Sequence, residues 1–359
     1  MDKLLITGGA GFIGSNFVHY WLGKYPEDTI VVLDLLTYAG NKNNLKTCLD
    51  LPNFKFIKGS VCDEALVTRT FAENQINKVV HFAAESHVDR SITEPDAFIN
   101  TNILGTHNLL KVARNLWLRE KVSNHLFHHV STDEVYGSLE QRDMPFKETH
   151  GYAPNSPYAS SKAASDHLVR AYHKTYGLKV TTSNCSNNYG PYHFPEKLIP
   201  LCLLNILSGK ALPIYGNGKQ IRDWLYVADH CRGIDLVVKK GISGETYNIG
   251  GNNEWANIDV VSLLCDVVNE KFSASPELAI RFPESPCAQN EDAKSLIKYV
   301  RDRPGHDVRY AVDASKIFSQ LGYEPLTSFE KGLKITVDWY LDNESWWRSI
   351  LNGSYKLYK

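Results

Sequence analysis

The sequence predicts an α/β fold, in which helices cover both faces of a doubly wound parallel sheet and a smaller mixed lobe follows. Two observations predict it. Short runs rich in β-branched residues alternate with segments of helical length through the first half of the 359 residues. Several of these runs are apolar on both faces, as strands covered by helices on two sides must be. Strand and helix in repetition favour parallel pairing with right-handed crossovers.

The individual elements follow from these patterns in chain order. Strands are predicted at 3–7, 29–34, 54–58, 78–83, 125–131 and 179–184, and helices at 12–24, 97–117 and 158–176. Asp63 is expected to cap the helix that follows the third strand. After about residue 184 the alternation weakens, although a strand-like stretch at 245–249 could return to the sheet. Residues 273–296 are polar and contain three prolines, which predicts a surface insertion or a mobile loop.

Composition excludes several classes of function. Lys and Arg number 39 against 40 Asp and Glu, so no global positive field favours nucleic acid or an anionic membrane. The seven cysteines are an odd number without C-x-x-C spacing, which argues against a disulfide framework or a structural zinc site. No run approaches the roughly 20 apolar residues that span a bilayer, and the N-terminus does not resemble a signal peptide. We therefore expect a cytoplasmic enzyme that acts on a small molecule.

A glycine-rich turn predicts a dinucleotide site. Gly8, Gly11 and Gly14 follow the first strand and open the first helix with G-x-x-G-x-x-G spacing. Such glycines allow a tight turn, a close approach of the backbone to a pyrophosphate and close packing of helix on strand. Asp34 ends the second strand, where a carboxylate can accept hydrogen bonds from a ribose diol, which favours NAD over NADP. Asp34 could instead be an ordinary cap or turn residue.

A second constellation points to acid–base chemistry. Tyr158 and Lys162 lie four residues apart on a predicted helix, so they share one face, and a nearby ammonium would lower the pKa of the phenol. Asp133 and Glu134 follow a strand at the sheet edge where ligands bind in open α/β folds. Two such acids can serve as acid and base if their environments separate their pKa values. Chance spacing of Tyr and Lys, and a helix N-cap followed by acids in the first turn, remain the alternatives.

Other polar residues carry weaker signals. His81, His87, His128 and His129 match no usual metal-ligand spacing, so we predict no metal site. Lys197, Arg222 and the basic stretch 301–306 are candidates for binding a second diphosphate, because Arg and Lys are the usual phosphate ligands. Solvated surface charge is the alternative for these residues.

At this level of detail the chain resembles a known family. Residues 7–14, together with Tyr158-x-x-x-Lys162, resemble the extended short-chain dehydrogenase/reductase group of nucleotide-sugar enzymes. Longer motifs resemble the 4,6-dehydratases of that group, and they lie at 83–91, 131–137, 184–192, 193–200, 222–227 and 302–307. The resemblance covers essentially the whole chain. It implies a Rossmann-type NAD-binding domain at 1–185, to which 225–255 return, and a nucleotide-sugar-binding lobe formed by 186–224 and 256–359.

The resemblance also implies roles for individual residues. The catalytic positions are Thr132, Asp133, Glu134, Tyr158 and Lys162. The NAD positions are Gly8, Gly11, Phe12, Ile13, Gly14, Asp34, Ser60, Val61, Ala83, Ala84, Thr101, Tyr158, Lys162 and Asn188. The substrate positions are Ser86, Thr132, Asn187, Lys197, Leu198, Pro213, Tyr215, Arg222, Asn257, Arg303 and His306. Ser60 stands where the family usually has Asp.

The implied reaction is a dehydration of dTDP-glucose with NAD bound throughout, in an enzyme that forms homodimers. C4 is oxidised, water is lost across C5 and C6, and the hydride returns to C6 to give dTDP-4-keto-6-deoxyglucose. Three alternatives remain open: a UDP-sugar 4,6-dehydratase, a 4-epimerase of the same fold, and a non-catalytic NAD-binding protein. An epimerase has no use for Asp133 and Glu134 as an acid–base pair.

Overall fold

Thirteen strands and thirteen α-helices are found in the computed structural model, which describes residues 1–302 and 305–358. The strands are β1 (Lys3–Thr7), β2 (Thr29–Asp34), β3 (Phe54–Lys58), β4 (Lys78–His81), β5 (Leu126–Thr132), β6 (Val180–Cys185), β7 (Asn187–Tyr189), β8 (Leu212–Tyr215), β9 (Ile221–Tyr226), β10 (Thr246–Ile249), β11 (Glu254–Ala256), β12 (Ile297–Val300) and β13 (Arg309–Tyr310). The helices are α1 (Phe12–Lys24), α2 (Glu64–Asn74), α3 (Val88–Thr93), α4 (Pro95–Phe98), α5 (Thr106–Ala113), α6 (Pro157–Tyr176), α7 (Leu198–Leu207), α8 (Val227–Lys240), α9 (Asn257–Ala274), α10 (Glu277–Arg281), α11 (Ser315–Leu321), α12 (Phe329–Asp342) and α13 (Glu344–Leu351).

Seven parallel strands form the central sheet, in the order β10-β6-β5-β4-β1-β2-β3. The strand order reverses direction between β1 and β4, which is the switch point at which ligands bind in doubly wound sheets. This arrangement confirms the predicted fold class. The six predicted strands are present with ends that differ by two residues at most, and β10 confirms that the stretch at 245–249 returns to the sheet.

Helix boundaries follow local signals, with one exception. Asp63 caps α2 as predicted, because its Oδ1 accepts a hydrogen bond of 2.9 Å from the backbone N–H of Leu66. The segment predicted as one helix at 97–117 is divided in the structure. A π-helical turn at Ile99–Gly105 joins α4 to α5, and a second one at Arg114–Leu118 follows α5. π-helical turns often mark functional sites, and Thr101 within the first of them lines the cleft described below.

The second lobe has its own sheets and its own hydrophobic core. β9 pairs with β11, β13 and β7, and β8 pairs with β12. The core of this lobe is built from buried side chains of α7, α9 and α12. α8 and α11 instead pack against the core of the central sheet, where Ile234 and Ile317 are fully buried. The boundaries between the two lobes stay a prediction.

The mobile loop predicted as one alternative for 273–296 was wrong, and the other alternative, a surface insertion, stays a prediction. This segment contains α10 and two 3₁₀ turns, and Leu278, Phe282 and Cys287 are buried against α9 in the core of the second lobe. The Asn269 side chain on α9 fixes it, because Oδ1 accepts hydrogen bonds from Cys287 Sγ and from the Ala293 backbone. Its few apolar residues are widely spaced in a polar sequence, so composition alone could not reveal that they converge.

Across residues 1–302 and 305–358, the structure contains no helix that combines the length and the apolar character needed to cross a bilayer.

Candidate active site

The glycine-rich turn joins β1 to α1 at the switch point of the sheet. Gly8 has φ of +69°, and a Cβ there would lie 2.6 Å from the backbone nitrogen of Ala83. A Cβ on Gly14 would lie 2.3 Å from the carbonyl oxygen of Gly8. Both positions therefore require glycine, because side chains cannot fit between helix and sheet there. Among the residues described, no side chain caps α1 and no acid stands in its first turn, and the residues that open this helix, 11–14, line the cavity described below.

Asp34 lies at the end of β2 and holds the turns around it. Its Oδ2 accepts a hydrogen bond of 2.9 Å from the Ala10 backbone, and its Oδ1 accepts one of 2.8 Å from the Leu36 backbone. Leu36 has φ of +57°, so the segment after β2 bends sharply. Asp34 thus connects the glycine turn to the segment after β2, in addition to lining the cleft. Its role toward a ribose stays a prediction.

Two elements bring the predicted catalytic side chains together. β5 ends at Thr132 and continues into a 3₁₀ turn that carries Asp133 and Glu134. Tyr158 and Lys162 lie one turn apart on α6, whose packing against β5 places them beside these acids. The Thr132 hydroxyl does accept a hydrogen bond of 3.3 Å from the Glu134 backbone, as the capping alternative requires. Thr132 therefore caps the turn, and the same turn still places Asp133 and Glu134 at the cleft.

Asp133 occupies an environment that favours its neutral form. The residue is only 2% exposed, and its Oδ2 has no hydrogen-bond partner within the described part of the chain. Burial raises the pKa of this carboxyl well above its usual value of 3.8, and the negative charges of Glu134 and Asp223 raise it further. Arg222 opposes this effect more weakly. A carboxyl group held in this way keeps its proton at a higher pH than an exposed aspartate does.

The expectation that the pKa of Tyr158 lies below its usual value was wrong for this structure. Burial raises the pKa of Tyr158 well above 10, and the neighbouring charge of Glu134 adds to the rise. The Lys162 ammonium donates a hydrogen bond of 2.8 Å to the Val130 carbonyl. Sequence spacing correctly placed both side chains on one helix face, but it could not weigh the cost of burying a phenolate against the benefit of a nearby cation.

One cavity of about 390 Å³ unites the glycine turn with this cluster. It is lined by all fourteen predicted NAD positions, which are Gly8, Gly11, Phe12, Ile13, Gly14, Asp34, Ser60, Val61, Ala83, Ala84, Thr101, Tyr158, Lys162 and Asn188. It is also lined by the predicted catalytic residues Thr132, Asp133 and Glu134, and by the predicted substrate positions Ser86, Asn187, Lys197 and Leu198. The roles of these residues stay predictions. Their convergence is a fact of the structure.

Within the described residues, the remaining predicted substrate positions lie in the second lobe, outside the lining of this cavity. The rings of Tyr215 and His306 meet edge to face with centroids 6.1 Å apart, and Pro213 precedes Tyr215 on β8. The Asn257 backbone donates to the Gln220 carbonyl, and the Gln220 side chain donates to Asp302. The predicted substrate position Arg303 lies outside the described residues.

Arg222 connects the second lobe to the catalytic cluster. Its guanidinium donates to the Ile221 and Asp307 carbonyls, at 2.7 Å and 3.0 Å, and lies 4.4 Å from the centre of the Tyr310 ring. It is 5% exposed, so the solvated surface charge considered for it is excluded. Its charge also influences the Asp133 carboxyl.

Sequence reasoning missed part of the cavity lining. Tyr38, Glu85, His193, Phe194 and Glu196 also face the cavity. His193 stacks on Phe12 with ring centroids 4.3 Å apart, which fixes the side chain that opens α1. The signal for His193, Phe194 and Glu196 was their place directly beside Lys197 and Leu198 in one motif. Tyr38 offered no such signal, because only the sharp bend after Asp34 turns it toward the cavity.

The histidines have other partners. His81 contacts the hydroxyls of Thr7 and Thr106, at 2.6 Å and 2.9 Å, and His128 contacts those of Thr181 and Ser183. Within the described residues, no group of three or more His, Cys, Asp or Glu side chains is arranged to hold a metal ion.

Comparison with known proteins places the chain in a family. A protein of Neisseria meningitidis serogroup B named dTDP-glucose 4,6-dehydratase is 55% identical over 360 residues, which cover 99% of this chain and 98% of the relative. The crystal structure of DesIV, a dTDP-glucose 4,6-dehydratase from Streptomyces venezuelae with NAD and dTDP bound, superposes with a TM-score of 0.86 at 45% identity, covering 97% of this chain and 99% of that one.

A second solved structure agrees. The dTDP-glucose 4,6-dehydratase of Bacillus anthracis in complex with NAD has a TM-score of 0.83 at 45% identity and covers 98% of this chain and 100% of its own. The family model for GDP-mannose 4,6 dehydratase matches residues 5–336. This chain therefore belongs to the GDP-mannose 4,6 dehydratase family.

Proposed function

We propose that this protein catalyses the NAD-dependent dehydration of dTDP-glucose to dTDP-4-keto-6-deoxyglucose. The observation that carries the proposal is the single cavity that holds the glycine turn, the Tyr158–Lys162 pair and the adjacent acids Asp133 and Glu134. A plain dehydrogenation needs the pair but not the acids. The relatives named dTDP-glucose 4,6-dehydratase support the choice of substrate.

The cavity fits a dinucleotide on structural grounds. Close packing at Gly8 and Gly14 brings the uncapped N-terminus of α1 to the cavity wall, where its N–H groups and partial positive charge suit a pyrophosphate. Asp34 stands at the end of the adjacent strand, where it would face a ribose. When bound, NAD supplies the acceptor for the C4 hydride, a positive charge beside the phenol and the hydride that returns to C6.

Oxidation at C4 uses the side chains of α6 and β5. Tyr158 removes the proton of the C4 hydroxyl, and the Thr132 hydroxyl at the end of β5 orients that group. Lys162 provides positive charge within the same buried cluster and thereby offsets the cost of forming a phenolate there. The new C4 ketone acidifies the C5 proton, because the carbanion formed by its loss is an enolate.

Elimination of water uses the two acids in different protonation states. Glu134 removes the C5 proton, and Asp133 donates its proton to the C6 hydroxyl as that group leaves as water. Once a hydride has been returned to C6, C5 is protonated again. The raised pKa of Asp133 supports its role as the acid, since burial keeps it protonated where an exposed aspartate would be ionised. The charge of Glu134 next to it reinforces this assignment, because two adjacent carboxylates resist ionising together.

The nucleotide end of the substrate would lie toward the second lobe. Lys197 lines the cavity, and its ammonium donates a hydrogen bond of 3.2 Å to the Ser86 carbonyl. Tyr215, Asn257 and His306 cluster farther out around Gln220 and Asp302. We assign the diphosphate to the first of these places and the base to the second. This agrees with the sequence-based expectation for Lys197 and differs from it for His306, which was expected at the diphosphate.

The surface of the first lobe supports a homodimer. Ile92, Ile99 and Leu104 are between 46% and 52% exposed, and they lie on the helical segment that packs beside α6. Large apolar side chains grouped on neighbouring turns are typical of protein–protein contacts. All seven cysteines are free, which suits a reducing compartment such as the cytoplasm.

A substrate panel tests the proposed reaction against its rivals. The purified protein with NAD is incubated with dTDP-glucose and, separately, with UDP-glucose, and the products are identified by mass and NMR. We expect loss of 18 mass units from dTDP-glucose and a C4 ketone. An unchanged mass with inversion at C4 would establish an epimerase instead. Dehydration of UDP-glucose alone would show that the substrate carries UDP and not dTDP. No turnover of either sugar would favour a non-catalytic protein.

Replacing the proposed base separates dehydration from oxidation. In Glu134→Gln, oxidation at C4 can proceed but the C5 proton stays, so NADH absorbance should build up in a single turnover. In the matched variant Tyr158→Phe, the first hydride transfer itself should fail, and no NADH should form. Full turnover by Glu134→Gln would remove the base assignment.

A further inference from the structure

A buried carboxylate lies behind the catalytic lysine, on the side away from the substrate positions. We propose that Asp166, acting across the His129 imidazole, is a positioning residue that holds Lys162 in place as an ammonium. The proposal rests on the proposed function, because it assigns a partner to a residue of that reaction. It adds a role for two side chains that the reaction itself does not use.

The geometry of Lys162 restricts its ammonium group to one place. The residue is 5% exposed, and its Nζ donates a hydrogen bond of 2.8 Å to the Val130 carbonyl on β5. The same Nζ lies 3.5 Å from Nε2 of His129, the residue before Val130. The lysine therefore reaches across from α6 to β5, and two neighbouring residues of that strand fix its end.

Asp166 approaches the same point from the next turn of α6. It is four residues after Lys162, so both side chains lie on one helix face, and it is also 5% exposed. Its Oδ2 accepts a hydrogen bond of 2.8 Å from the Ser131 hydroxyl, and its Oδ1 lies 3.1 Å from Nε2 of His129. One imidazole nitrogen thus lies within 3.5 Å of both the ammonium and the carboxylate.

His129 carries no charge of its own in this place. Its ring is fully buried, and burial together with the Lys162 charge lowers its pKa well below 6.5. Its Nδ1 has no hydrogen-bond partner within 1–302 and 305–358. A neutral imidazole leaves the negative charge of Asp166 available to Lys162. An imidazolium would have neutralised Asp166 first.

The charge balance around Lys162 depends on few groups. Asp166 and Tyr158 face it from α6, His129 from β5, His81 from β4 and Cys185 from β6. Burial lowers the pKa of Lys162, and Asp166 is the strongest influence in the opposite direction. Burial raises the pKa values of Tyr158 and Cys185 and lowers that of His81, so Asp166 is the main source of negative charge toward Lys162.

The surroundings of Asp166 leave its own charge in place at neutral pH. Burial raises its pKa to about 6, while Lys162 is the largest of the influences that lower it. The Ser131 hydroxyl, Tyr152 from the loop before α6, and His167 on α6 lower it as well. Asp166 is therefore ionised above about pH 6, in the range where the reaction is expected to run.

A purely structural role is the alternative, in which Asp166 only ties α6 to β5 through Ser131. The two roles differ in how the reaction responds to pH. If Asp166 maintains the ammonium, removing its charge lets Lys162 lose its proton at lower pH. If it serves only as a tie, the pH at which activity falls stays where it was, whatever happens to the rate or the stability.

The test is the pH profile of kcat for the NAD-loaded enzyme with dTDP-glucose. In Asp166→Asn, which keeps an acceptor for Ser131, the alkaline limb should move down by about one to three pH units, as expected for loss of an opposite charge. The KM should change less than twofold, because Asp166 touches no substrate position. Asp166→Glu keeps the charge, so its alkaline limb should stay close to the wild-type position. Ser131→Ala should also leave the alkaline limb in place, because the charge of Asp166 remains.

The outcomes separate the proposals. An Asp166→Asn profile that overlays the wild-type profile overturns the positioning role. If that variant does not fold, Asp166→Ser supplies the test, because it removes the same charge: it should move the alkaline limb in the same direction, and an unmoved limb overturns the proposal. A wild-type enzyme that leaves dTDP-glucose unchanged overturns the proposed function instead, and the panel of nucleotide sugars then provides the substrate for the same profiles.

Discussion

Two buried aspartates near the active site show how individual residues differ in purpose. The Asp223 carboxylate accepts hydrogen bonds from the backbones of Gly251 and Asn253, at 2.8 Å and 2.7 Å, and so anchors the turn after β10. Asp133 is equally buried, yet its Oδ2 has no hydrogen-bond partner in the described chain. A buried polar atom without a hydrogen-bond partner lowers stability. Such groups, with their shifted pKa values, are found most often at functional sites.

Replacing Asp133 should therefore lower the dehydration activity and raise the free energy of unfolding. Because the pKa of Asp133 is raised in the folded state, its favourable contribution is complete below about pH 4 and is lost as the pH rises toward the folded-state pKa. Asp133→Asn cannot ionise, so its free energy of unfolding should exceed that of the wild type by about 1–3 kcal/mol at pH 8 and match it near pH 4. Dehydration should fall by about 100-fold or more.

Urea unfolding at the two pH values measures the first effect, and product formation measures the second. Asp223→Asn is the matched control, since it loses one of two good acceptors and should destabilise the protein. A variant at Asp133 that is less stable than the wild type at both pH values would show that its carboxyl has a structural role instead.

At the scale of elements, the site depends on where helices begin and strands end. β5 delivers Thr132 and the two acids, α6 delivers Tyr158 and Lys162, and the turn from β1 to α1 delivers the glycines. Each of these ends lies at the same edge of the parallel sheet, because successive strands run in one direction. Changes to one connection should therefore affect cofactor binding without unfolding the sheet.

Two glycines of α1 provide a matched pair for that expectation. A Cβ on Gly14 would meet the Gly8 carbonyl at 2.3 Å, whereas a Cβ on Gly23 would meet nothing within 4 Å. Gly14→Ala should push α1 away from the turn and weaken NAD binding by about tenfold or more. Gly23→Ala should leave NAD binding unchanged and stabilise the protein by about 0.5–1 kcal/mol, since alanine favours the helix.

Calorimetric titration with NAD and thermal unfolding of both variants give the two measurements. Equal NAD affinities for Gly14→Ala and Gly23→Ala would contradict the close packing described for the turn.

At the scale of the whole molecule, the two lobes divide the work. The central sheet and the segments around it carry most of the predicted NAD positions and the predicted catalytic residues, whereas Tyr215 lies on β8, Asn257 begins α9 and His306 precedes β13. The exposed apolar side chains near α6 lie on the first lobe, away from the second-lobe substrate positions. Association through this surface would leave the nucleotide end of the site open.

A charge placed on this surface should dissociate the proposed homodimer. Leu104 is 52% exposed and belongs to the apolar group near α6, while Ile280 is 83% exposed on α10 in the other lobe. Leu104→Glu should yield a monomer in light scattering, because an interface core does not accommodate an unpaired carboxylate. Ile280→Glu should keep the mass of the unmodified protein. A wild-type mass of one chain would refute the homodimer at once.

The sequence by itself determined the features that depend on local patterns. Apolar runs and helical periods gave the strand positions, the Gly8–Gly11–Gly14 spacing gave the turn, and a four-residue spacing placed Tyr158 and Lys162 on one face. Asp133 and Glu134 were found because they follow a strand at the edge where ligands bind. These features are read over a few residues, so neighbours along the chain suffice to predict them.

Only the tertiary structure decided the features that depend on distant parts of the chain. The raised pKa values of Asp133 and Tyr158 come from burial that no local pattern reports. The contact of His129 with Lys162 and Asp166 joins a strand to a helix more than 30 residues later. The packing of 273–296 and the position of Tyr38 in the cavity were decided in the same way, because burial and electrostatic balance are set by what the fold brings together.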